Sequence, residues 1–217
     1  MILEIDNIEL GFGGKKILYG VYLKAELGKV TGILGRNGCG KTCLLKIIFG
    51  NLSPKYKSIR LNGKNQKGQL FKKADIAYLP QHQLLPKKIK LAKAFDLFGL
   101  QWEPFIDRFE SFSTYTKTTT DKLSHGELRV VETYLILCSK KAVILLDEPF
   151  SFIAPLYIET FKELIDLKKK ESIIIITDHF YREIMEVSNT LYLLKNGSSQ
   201  LIKSKEGLVN AGYINPD

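Results

Sequence analysis

The chain is short of cysteine and of long apolar stretches. Its 217 residues include three cysteines, Cys39, Cys43 and Cys138, whose number and spacing match neither a disulfide framework nor a metal site. Such a sparse set is typical of a reducing compartment such as the cytosol. No run of about 18 apolar residues is present, so we expect no transmembrane helix. The N-terminal residues 1–6 are acidic and alternating, so we expect no signal peptide.

The chain also has fewer acidic than basic residues, with 23 aspartates and glutamates and 32 lysines and arginines. The formal net charge of +9 is compatible with nucleic-acid binding, an anionic membrane surface or a lysine-rich composition. The lysines are scattered, and neither an arginine-rich arm nor a nucleic-acid motif accompanies them. We therefore expect solvated surface lysines and no specific nucleic-acid partner.

The length of the chain bounds its organisation. With 45% hydrophobic residues, it can bury one core but not two typical ones. We predict a single domain over 1–217, with a helical insert at 82–125 and a C-terminal hairpin and tail at 188–217.

The clearest motif is a phosphate-binding loop at 35–42, which reads G-x-x-x-x-G-K-T. The apolar run 30–34 before it predicts a buried strand, and the run 43–49 after it predicts a helix. In this context backbone N–H groups and a helix N-terminus surround phosphate, while the lysine and threonine serve phosphate and Mg²⁺. The candidate nucleotide-binding residues are Gly35, Arg36, Asn37, Gly38, Cys39, Gly40, Lys41 and Thr42.

Cys39 lies within this loop and allows two interpretations. Its thiol either has a lowered pKa among the N–H dipoles or is simply a small group that fits the loop.

Two acids follow an apolar strand-like run at 142–146. Acid residues at a strand end beside a phosphate loop hold Mg²⁺ and a catalytic water in such folds. We assign Asp147 to the metal and Glu148 to the polarisation of water. Pro149 fixes the chain directly after them, which argues against freely solvated acids.

A second apolar run, 172–177, is typical of a parallel strand that is buried on both faces. His179 follows its end, where α/β folds place ligands, and is a candidate catalytic residue. An isolated histidine is also commonly structural.

Two further residues are candidates near the nucleotide. Gln81 follows the short strand 76–79, and it is either a surface residue or a ligand of Mg²⁺ or water. Phe12 lies in the glycine turn 11–14, between strands that predict an antiparallel β layer. It either fills the turn or stacks on an adenine ring.

The region 83–122 changes character, because apolar residues recur there at helical spacing. We predict a helix over 91–100, ending near Gly99, and continued helical spacing over 102–112. The aromatic content predicts a small helical lobe with its own core. The same lobe is also suited to an apolar groove that docks a partner helix, and both interpretations can hold.

Ser124 opens the predicted helix 128–138. Glu127, three residues on, completes a capping box with it. The same helix N-terminus is a second candidate anion site.

In this order, the motifs resemble those of the ATP-binding cassette (ABC) ATPases, specifically the nucleotide-binding subunit of a transporter. The resemblance covers nearly the whole chain. The segments that carry it are Phe12, the loop 35–42, Gln81, the signature-like 123–127, the strand and acids 143–148, and His179.

The resemblance implies a P-loop NTPase fold with a mainly parallel core sheet, an antiparallel β layer and a helical subdomain. It implies ATP and Mg²⁺ as cofactors, with Thr42, Gln81 and Asp147 as metal-site residues. Two cassettes, identical or related, would close head to tail on ATP. The implied catalytic residues are Lys41, Glu148 and His179. Each ATP would also contact Ser124, His125 and Gly126 of the other cassette.

The family resemblance also implies a location and a membrane partner. The lobe 82–122 would receive an integral membrane subunit, which places the chain in the cytoplasm, peripherally on the inner face of the membrane. ATP hydrolysis would then drive transport.

The sequence departs from the family pattern at two positions. His125 replaces the first glycine of the usual signature L-S-G-G-[QE], where its side chain either crowds the opposite phosphate or, when protonated, attracts it. Ala154 stands where an aspartate usually joins the two sites, so we expect weaker coupling between them.

Two other functions compete with the transporter interpretation. One is a soluble cassette ATPase that acts on a non-membrane assembly. The other is a nucleotide-gated module with weak hydrolysis.

Overall fold

The computed structural model describes residues 1–66 and 76–215. Its strands are β1 (Ile2–Phe12), β2 (Lys15–Glu26), β3 (Val30–Leu34), β4 (Tyr56–Leu61), β5 (Lys64–Asn65), β6 (Ile76–Leu79), β7 (Val143–Asp147), β8 (Ile173–Thr177), β9 (Thr190–Lys195) and β10 (Ser198–Ile202). Its α-helices are α1 (Lys41–Phe49), α2 (Leu91–Phe98), α3 (Glu103–Ile106), α4 (His125–Leu137), α5 (Pro155–Lys168), α6 (Tyr181–Val187) and α7 (Lys205–Asn210).

The larger sheet has six strands in the order β10-β9-β3-β8-β7-β6. All neighbours are parallel except β10 and β9. Every residue of β3, β7 and β8 is buried, which agrees with their continuous aliphatic sequences. Since these strands run in the same direction, the chain segments that follow them meet at one edge of the sheet.

The second sheet is antiparallel and has four strands in the order β2-β1-β4-β5. It confirms the predicted β layer, but the turn over 11–14 was wrong in its extent. Strand β1 continues through Phe12, and only Gly13 and Gly14, with φ of 53° and 81°, form the turn. Phe12 is therefore a strand residue at the end of a hairpin.

The helical lobe follows β6. Helix α2 ends at Phe98 and is followed by Gly99, whose left-handed φ of 64° confirms the predicted stop. Beyond it, the predicted helical spacing gives only the one-turn α3 and a 3₁₀ turn at Glu110–Phe112. The aromatic rings pack on one another and also on the main domain, since Phe105 lies 4.9 Å from Tyr134 of α4. The lobe therefore shares its core with α4, contrary to the prediction of a separate one.

The C-terminal hairpin is confirmed, with Asn196 and Gly197 between β9 and β10. Strand β9 also joins the main sheet by pairing with β3. The sequence did not predict α7, and residues 216–217 of the predicted tail lie outside the described residues. The division into one domain with these inserts stays a prediction.

The fold matches the predicted class, with a mainly parallel sheet, an antiparallel layer and a helical subdomain. Within residues 1–66 and 76–215, none of the helices combines the length and apolar character needed to span a membrane.

Candidate functional site

The phosphate loop joins β3 to α1 and is shaped by two close approaches. A Cβ at Gly35 would lie 2.7 Å from the Leu194 carbonyl oxygen, and one at Gly40 would lie 2.7 Å from Leu18 Cδ2. Gly40 also has a φ of 108°, a conformation that side chains disfavour. The loop is thus fixed between β9 and β2, and packing requires glycine at positions 35 and 40.

The N-terminus of α1 is suited to an external anion. Its N-cap residue, Gly40, has no side chain to cap the helix, and the first turn, Lys41-Thr42-Cys43, contains no acid. The first backbone N–H groups of a helix need acceptors from elsewhere, and the helix dipole favours an anionic one.

Lys41 lies at the start of α1 and is only 5% exposed. Its Nζ donates to the Gly35 carbonyl oxygen at 2.7 Å. The ammonium group is therefore already fixed against the loop by a charge-assisted hydrogen bond.

Asp147 ends β7 and is fully buried. Its Oδ1 accepts from Thr42 Oγ1 at 3.2 Å and Thr177 Oγ1 at 2.8 Å, and its Oδ2 accepts from Tyr78 Oη at 3.0 Å. Burial is the main cause that raises the pKa of Tyr78, and the Asp147 carboxylate adds to it. Three hydroxyl groups thus compensate one buried carboxylate and tie β7 to α1, β8 and β6.

Glu148 follows with a positive φ of 52°, an uncommon conformation for a non-glycine residue. Its Oε2 accepts from Gln81 Nε2 at 3.0 Å and lies 3.6 Å from His179 Nδ1. The structure therefore brings together Gln81, Glu148 and His179, which lie far apart in sequence.

Arg129 on α4 fixes the backbone beneath these groups. Its guanidinium donates to the carbonyl oxygens of Pro80 at 2.7 Å, Asp147 at 2.5 Å and Glu148 at 2.9 Å. One buried side chain thus links the chain before Gln81 to the chain at the two acids. Burial lowers the pKa of Arg129, although the nearby carboxylates oppose this shift.

Glu132 lies one turn after Arg129 and has a related role. Its Oε1 accepts from the backbone N–H groups of Leu84 and Leu85, both at 2.8 Å. Burial raises the pKa of this carboxyl, while the two backbone hydrogen bonds lower it. The chain that follows Gln81 is therefore fixed to α4 as well.

His179 is more exposed to solvent than Lys41, Asp147 and Glu148. Its Nδ1 lies 3.3 Å from Asp178 Oδ1, and its ring lies 4.2 Å from that of Phe180. Asp178 is fully buried and accepts from the backbone of His179, Phe180 and Phe150. It therefore orders the turn that presents His179.

A cavity of about 450 Å³ is lined by residues from β1, β2, the phosphate loop, α1 and the chain that follows β6 and β7. Its lining residues are Phe12, Ile17, Asn37, Gly38, Gly40, Lys41, Thr42, Cys43, Gln81 and Glu148. His179 lines a neighbouring opening of about 700 Å³ together with Gly35, Arg36 and Asn37. The exposed ring of Phe12 thus lies at the cavity that is also lined by the phosphate loop and by Glu148.

Burial raises the pKa of the Cys39 thiol. The alternative of a lowered pKa was therefore wrong, and the thiol is a small group that fits the loop. It lies within the space that a side chain at Gly35 would need.

The N-terminus of α4 lies apart from this cavity. The lining described above, drawn from residues 1–66 and 76–215, does not include Ser124, His125 or Gly126. Ser124 Oγ accepts from Glu127 N at 3.2 Å and Glu127 Oε2 accepts from Ser124 N at 2.8 Å, which confirms the capping box. His125 is exposed and lines another cavity, of about 220 Å³, which has Gln81 in common with the first.

Gly126 is required by the segment that follows the acids. A Cβ there would lie 2.6 Å from the Phe152 carbonyl oxygen. Phe152 itself has a positive φ of 66° and is 78% exposed.

Comparison with known proteins assigns the chain to a family. A protein-family model described as "ABC transporter" matches residues 18–151, which is more than half of the chain. The chain belongs to the ABC transporter family. The resemblance to ABC ATPases and the P-loop NTPase fold are thereby confirmed.

Relatives in this family share about a quarter of their residues with the chain. An uncharacterised ABC transporter ATP-binding protein of Methanocaldococcus jannaschii is 26% identical over 208 residues, which cover 91% of this chain and 75% of that protein. The lipopolysaccharide export system ATP-binding protein of Haemophilus influenzae is 27% identical over 231 residues, covering 96% and 93%. The solved structure of an ATP-binding subunit of an ABC transporter superposes with a TM-score of 0.83 at 20% identity, covering 100% and 95% of the chains, and shows the shared fold.

Sequence reasoning missed Tyr78, Arg129, Glu132 and Thr177. The acid-terminated strand and the capping box gave no indication of them. A charged residue on the buried side of an amphipathic helix was the one available signal, since Arg129 and Glu132 flank the apolar pair 130–131 of α4.

Proposed function

We propose that the chain is the ATP-binding and ATP-hydrolysing subunit of an ABC transporter. The observation that carries this proposal is the convergence of the loop 35–42, Gln81 and Glu148 on one cavity, with Thr42 3.2 Å from the neighbouring acid Asp147 and Gln81 3.0 Å from Glu148. Packing alone does not require residues from α1, β7 and the chain after β6 to combine this chemistry.

ATP would bind with its phosphates at the N-terminus of α1. Backbone N–H groups of the loop 35–42 would donate to the phosphate oxygens, and Lys41 supplies a buried cation. The ring of Phe12, 54% exposed at the cavity, would stack on adenine.

The donor set fits Mg²⁺, because a carboxylate and a hydroxyl are the hard oxygen ligands that this ion prefers. Asp147 and Thr42 provide them, and Gln81 would complete the protein ligands through its amide oxygen. Bound Mg²⁺ neutralises charge on the phosphates during phosphoryl transfer.

Glu148 would orient the attacking water and accept its proton, as its position at the cavity allows. His179 Nδ1 lies 3.3 Å from Asp178 Oδ1 and 3.6 Å from Glu148 Oε2, and these carboxylates would orient the ring toward the γ-phosphate. His179 would contact that phosphate.

A second cassette would complete the site. Ser124, His125 and Gly126 lie outside the cavity of their own chain, as expected if they contact ATP on another copy or a relative. The segment containing Phe152 contacts Gly126 through its backbone, so closure would involve both surfaces.

We place the chain on the cytoplasmic face of a membrane, attached through the lobe 82–122 to an integral membrane subunit. Leu97 on α2 is 63% exposed and offers an apolar contact point on that lobe. The absence of an Asp at position 154 favours a second candidate, a nucleotide-gated module with weak hydrolysis.

Co-purification from native membranes in gentle detergent tests the transporter proposal. We expect an integral membrane protein to accompany the chain, and Leu97→Asp to release it. Leu201→Asp is the matched control, because Leu201 is 50% exposed on β10, away from the lobe. Recovery of the chain without an integral partner would overturn the transporter proposal.

Phosphate release from MgATP by the recovered complex tests the enzymatic part. We expect turnover that stops when Mg²⁺ is chelated. Binding of ATP without turnover would favour the nucleotide-gated module.

A further inference from the structure

Arg129 of α4 is a buried cation, only 6% exposed, that contacts the chain after β6 and the chain after β7. Its Nη1 donates to the Pro80 carbonyl oxygen, and its Nη2 donates to the carbonyl oxygens of Asp147 and Glu148. Pro80 directly precedes Gln81. One side chain therefore holds the backbone on which both Gln81 and Glu148 are presented.

The backbone of Glu148 needs such support. Its φ of 52° is a left-handed conformation, which a non-glycine residue keeps only where its surroundings enforce it. Its N–H donates to the Thr177 carbonyl oxygen at 2.8 Å, and its own carbonyl oxygen accepts from Arg129 at 2.9 Å and from Ser151 N at 3.3 Å. Strand β8 thus holds the peptide group before Glu148, and Arg129 holds the one after it.

The side chains carried by these two segments meet in the nucleotide cavity. Gln81 Nε2 donates to Glu148 Oε2 at 3.0 Å, and both residues line the cavity of about 450 Å³. Because a guanidinium group is a rigid fork of donors, it fixes the two backbones relative to each other. Arg129 is not among the described residues that line this cavity, so its effect on the site passes through Gln81 and Glu148.

Glu132, one turn further along α4, holds the chain beyond Gln81. Its Oε1 accepts from the backbone N–H groups of Leu84 and Leu85, both at 2.8 Å. The segment 80–85 is therefore attached to α4 near both of its ends, with Gln81 between the two attachments. This arrangement makes α4 the element that sets where Gln81 lies relative to the acid.

We propose that Arg129 is a positioning residue for ATP hydrolysis, which holds Glu148 opposite Gln81 without contacting the nucleotide. The inference rests on the proposed function, because it names what positions the acid of that site. Phosphate would bind at the loop 35–42, whereas the attacking water depends on the placement of Glu148. Loss of Arg129 should therefore lower kcat and leave nucleotide affinity unchanged.

Two variants remove the guanidinium fork in different ways. Arg129→Lys keeps the positive charge, but one ammonium group replaces a fork that contacts three carbonyl groups. Arg129→Gln removes the buried charge as well, so it serves if a buried ammonium group prevents folding. Arg60→Lys and Arg60→Gln are the matched controls, because Arg60 of β4 donates to Glu4 Oε2 at 3.5 Å and is outside the described lining of the cavity.

The first measurement is kcat and KM for MgATP in the complex recovered from membranes, together with the affinity for a fluorescent ATP analogue. We expect kcat to fall about 10- to 100-fold in the Arg129 variants, with KM and affinity within about 2-fold of wild type. The Arg60 controls should match wild type. Wild-type kcat in a folded Arg129 variant, or an equal loss of affinity, would overturn the proposal.

The second measurement is amide hydrogen exchange in the nucleotide-free chain, which separates positioning from a general loss of stability. Glu148 N and Ser151 N report on the turn, and Leu44 N, which donates to the Gly40 carbonyl oxygen at 2.8 Å, is the reference. We expect faster exchange at Glu148 and Ser151 in the Arg129 variants and wild-type exchange at Leu44.

Equal acceleration at all three amides, or acceleration at none, would overturn the proposal. Failure of both Arg129 variants to fold would make Arg129 a purely structural residue and would overturn it as well.

The two proposals fail in different ways. A wild-type chain that binds the analogue without turnover contradicts hydrolysis, and exchange at Glu148 and Ser151 then decides whether Arg129 holds the turn. Turnover by the wild-type chain that is unchanged in the Arg129 variants contradicts the positioning role alone.

Discussion

Two helix N-termini are candidate anion sites in this chain, and they differ in what satisfies their first backbone N–H groups. Helix α1 follows Gly40, which offers no side-chain acceptor. Helix α4 follows Ser124, whose hydroxyl and partner Glu127 accept from each other's backbone. The first helix end is open to an external anion, whereas the second already has one of its own.

Glu127 strengthens this contrast. Burial acts to raise the pKa of Glu127, but hydrogen bonds from Ser124 and Tyr115 outweigh it and lower the pKa. The ionised carboxylate therefore stays beside the dipole of α4, where a phosphate would otherwise gain most. We infer that α1 provides most of the binding energy for phosphate and α4 provides a weaker contact.

We expect the largest effect from a substitution of Glu148, the acid that lines the same cavity as the N-terminus of α1. Glu148→Gln keeps the size of the side chain and removes its basicity, so we expect hydrolysis to fall by at least about 100-fold while ATP binding is retained. Phosphate release and analogue binding measure the two properties. Glu163→Gln, on the exposed face of α5, is the matched control. Unchanged turnover in Glu148→Gln would show that this carboxylate does not activate water.

A smaller effect should separate the two helix ends directly. Lys41→Ala removes a cation from the α1 end, and we expect ATP affinity to fall about 10- to 100-fold, as for loss of a charged hydrogen bond. Ser124→Ala should leave the affinity of the monomeric chain unchanged, because Ser124 lies outside the cavity. Titration at concentrations where light scattering shows a monomer makes this comparison, with Lys93→Ala on α2 as the control.

Equal losses of ATP affinity in Lys41→Ala and Ser124→Ala would contradict this contrast between the two helix N-termini. They would show that the two ends contribute alike, and that α4 contacts nucleotide within one chain.

The capping box itself gives a prediction about stability. Glu127→Ala should lower the free energy of unfolding by about 1 kcal/mol at pH 7, as measured by urea denaturation. Glu127→Gln should retain most of that stability, since glutamine also completes the box.

The pH dependence of this effect has a definite sign. Because folding lowers the pKa of Glu127, its stabilisation is complete above the unfolded value of about 4.3 and is lost as the pH falls through the folded value. The difference between wild type and Glu127→Gln should therefore shrink in acid. A difference that grows as the pH falls would contradict the assignment.

The parts of the site that the sequence predicted are those whose chemistry is local. The loop 35–42 and the acids 147–148 are short motifs, and the strands that carry them bring them to one sheet edge by topology alone. Phe12, Gln81 and His179 needed the family order as well, because single residues at strand ends have several common roles.

The parts that it did not predict depend on contacts between distant segments. Arg129 donates to the Pro80 carbonyl oxygen and Arg36 donates to the Gly212 carbonyl oxygen, and neither pairing leaves a periodic or motif signal. In the lobe, helical spacing over 102–112 was misleading, since the aromatic residues pack on α4 and α5 from one short helix and a 3₁₀ turn. Tertiary packing decided the local structure there.

The smallest predicted effect concerns a third helix N-terminus, that of α5. Its N-cap is Ala154, with φ of −63° and ψ of 141°, and Pro155 follows at the first helical position. This backbone geometry suits a capping residue, but alanine has no acceptor to offer. Ala154→Asp should therefore raise the free energy of unfolding by about 0.5–1 kcal/mol, measured by urea denaturation. Ala154→Asn supplies a cap without charge and separates capping from the dipole effect.

If Ala154→Asp also increases the cooperativity of hydrolysis in ATP while Ala154→Asn does not, the carboxylate joins the two sites. Equal cooperativity in both variants would show that residue 154 only caps α5. The uncapped N-terminus of α1 would then remain the main determinant of nucleotide binding.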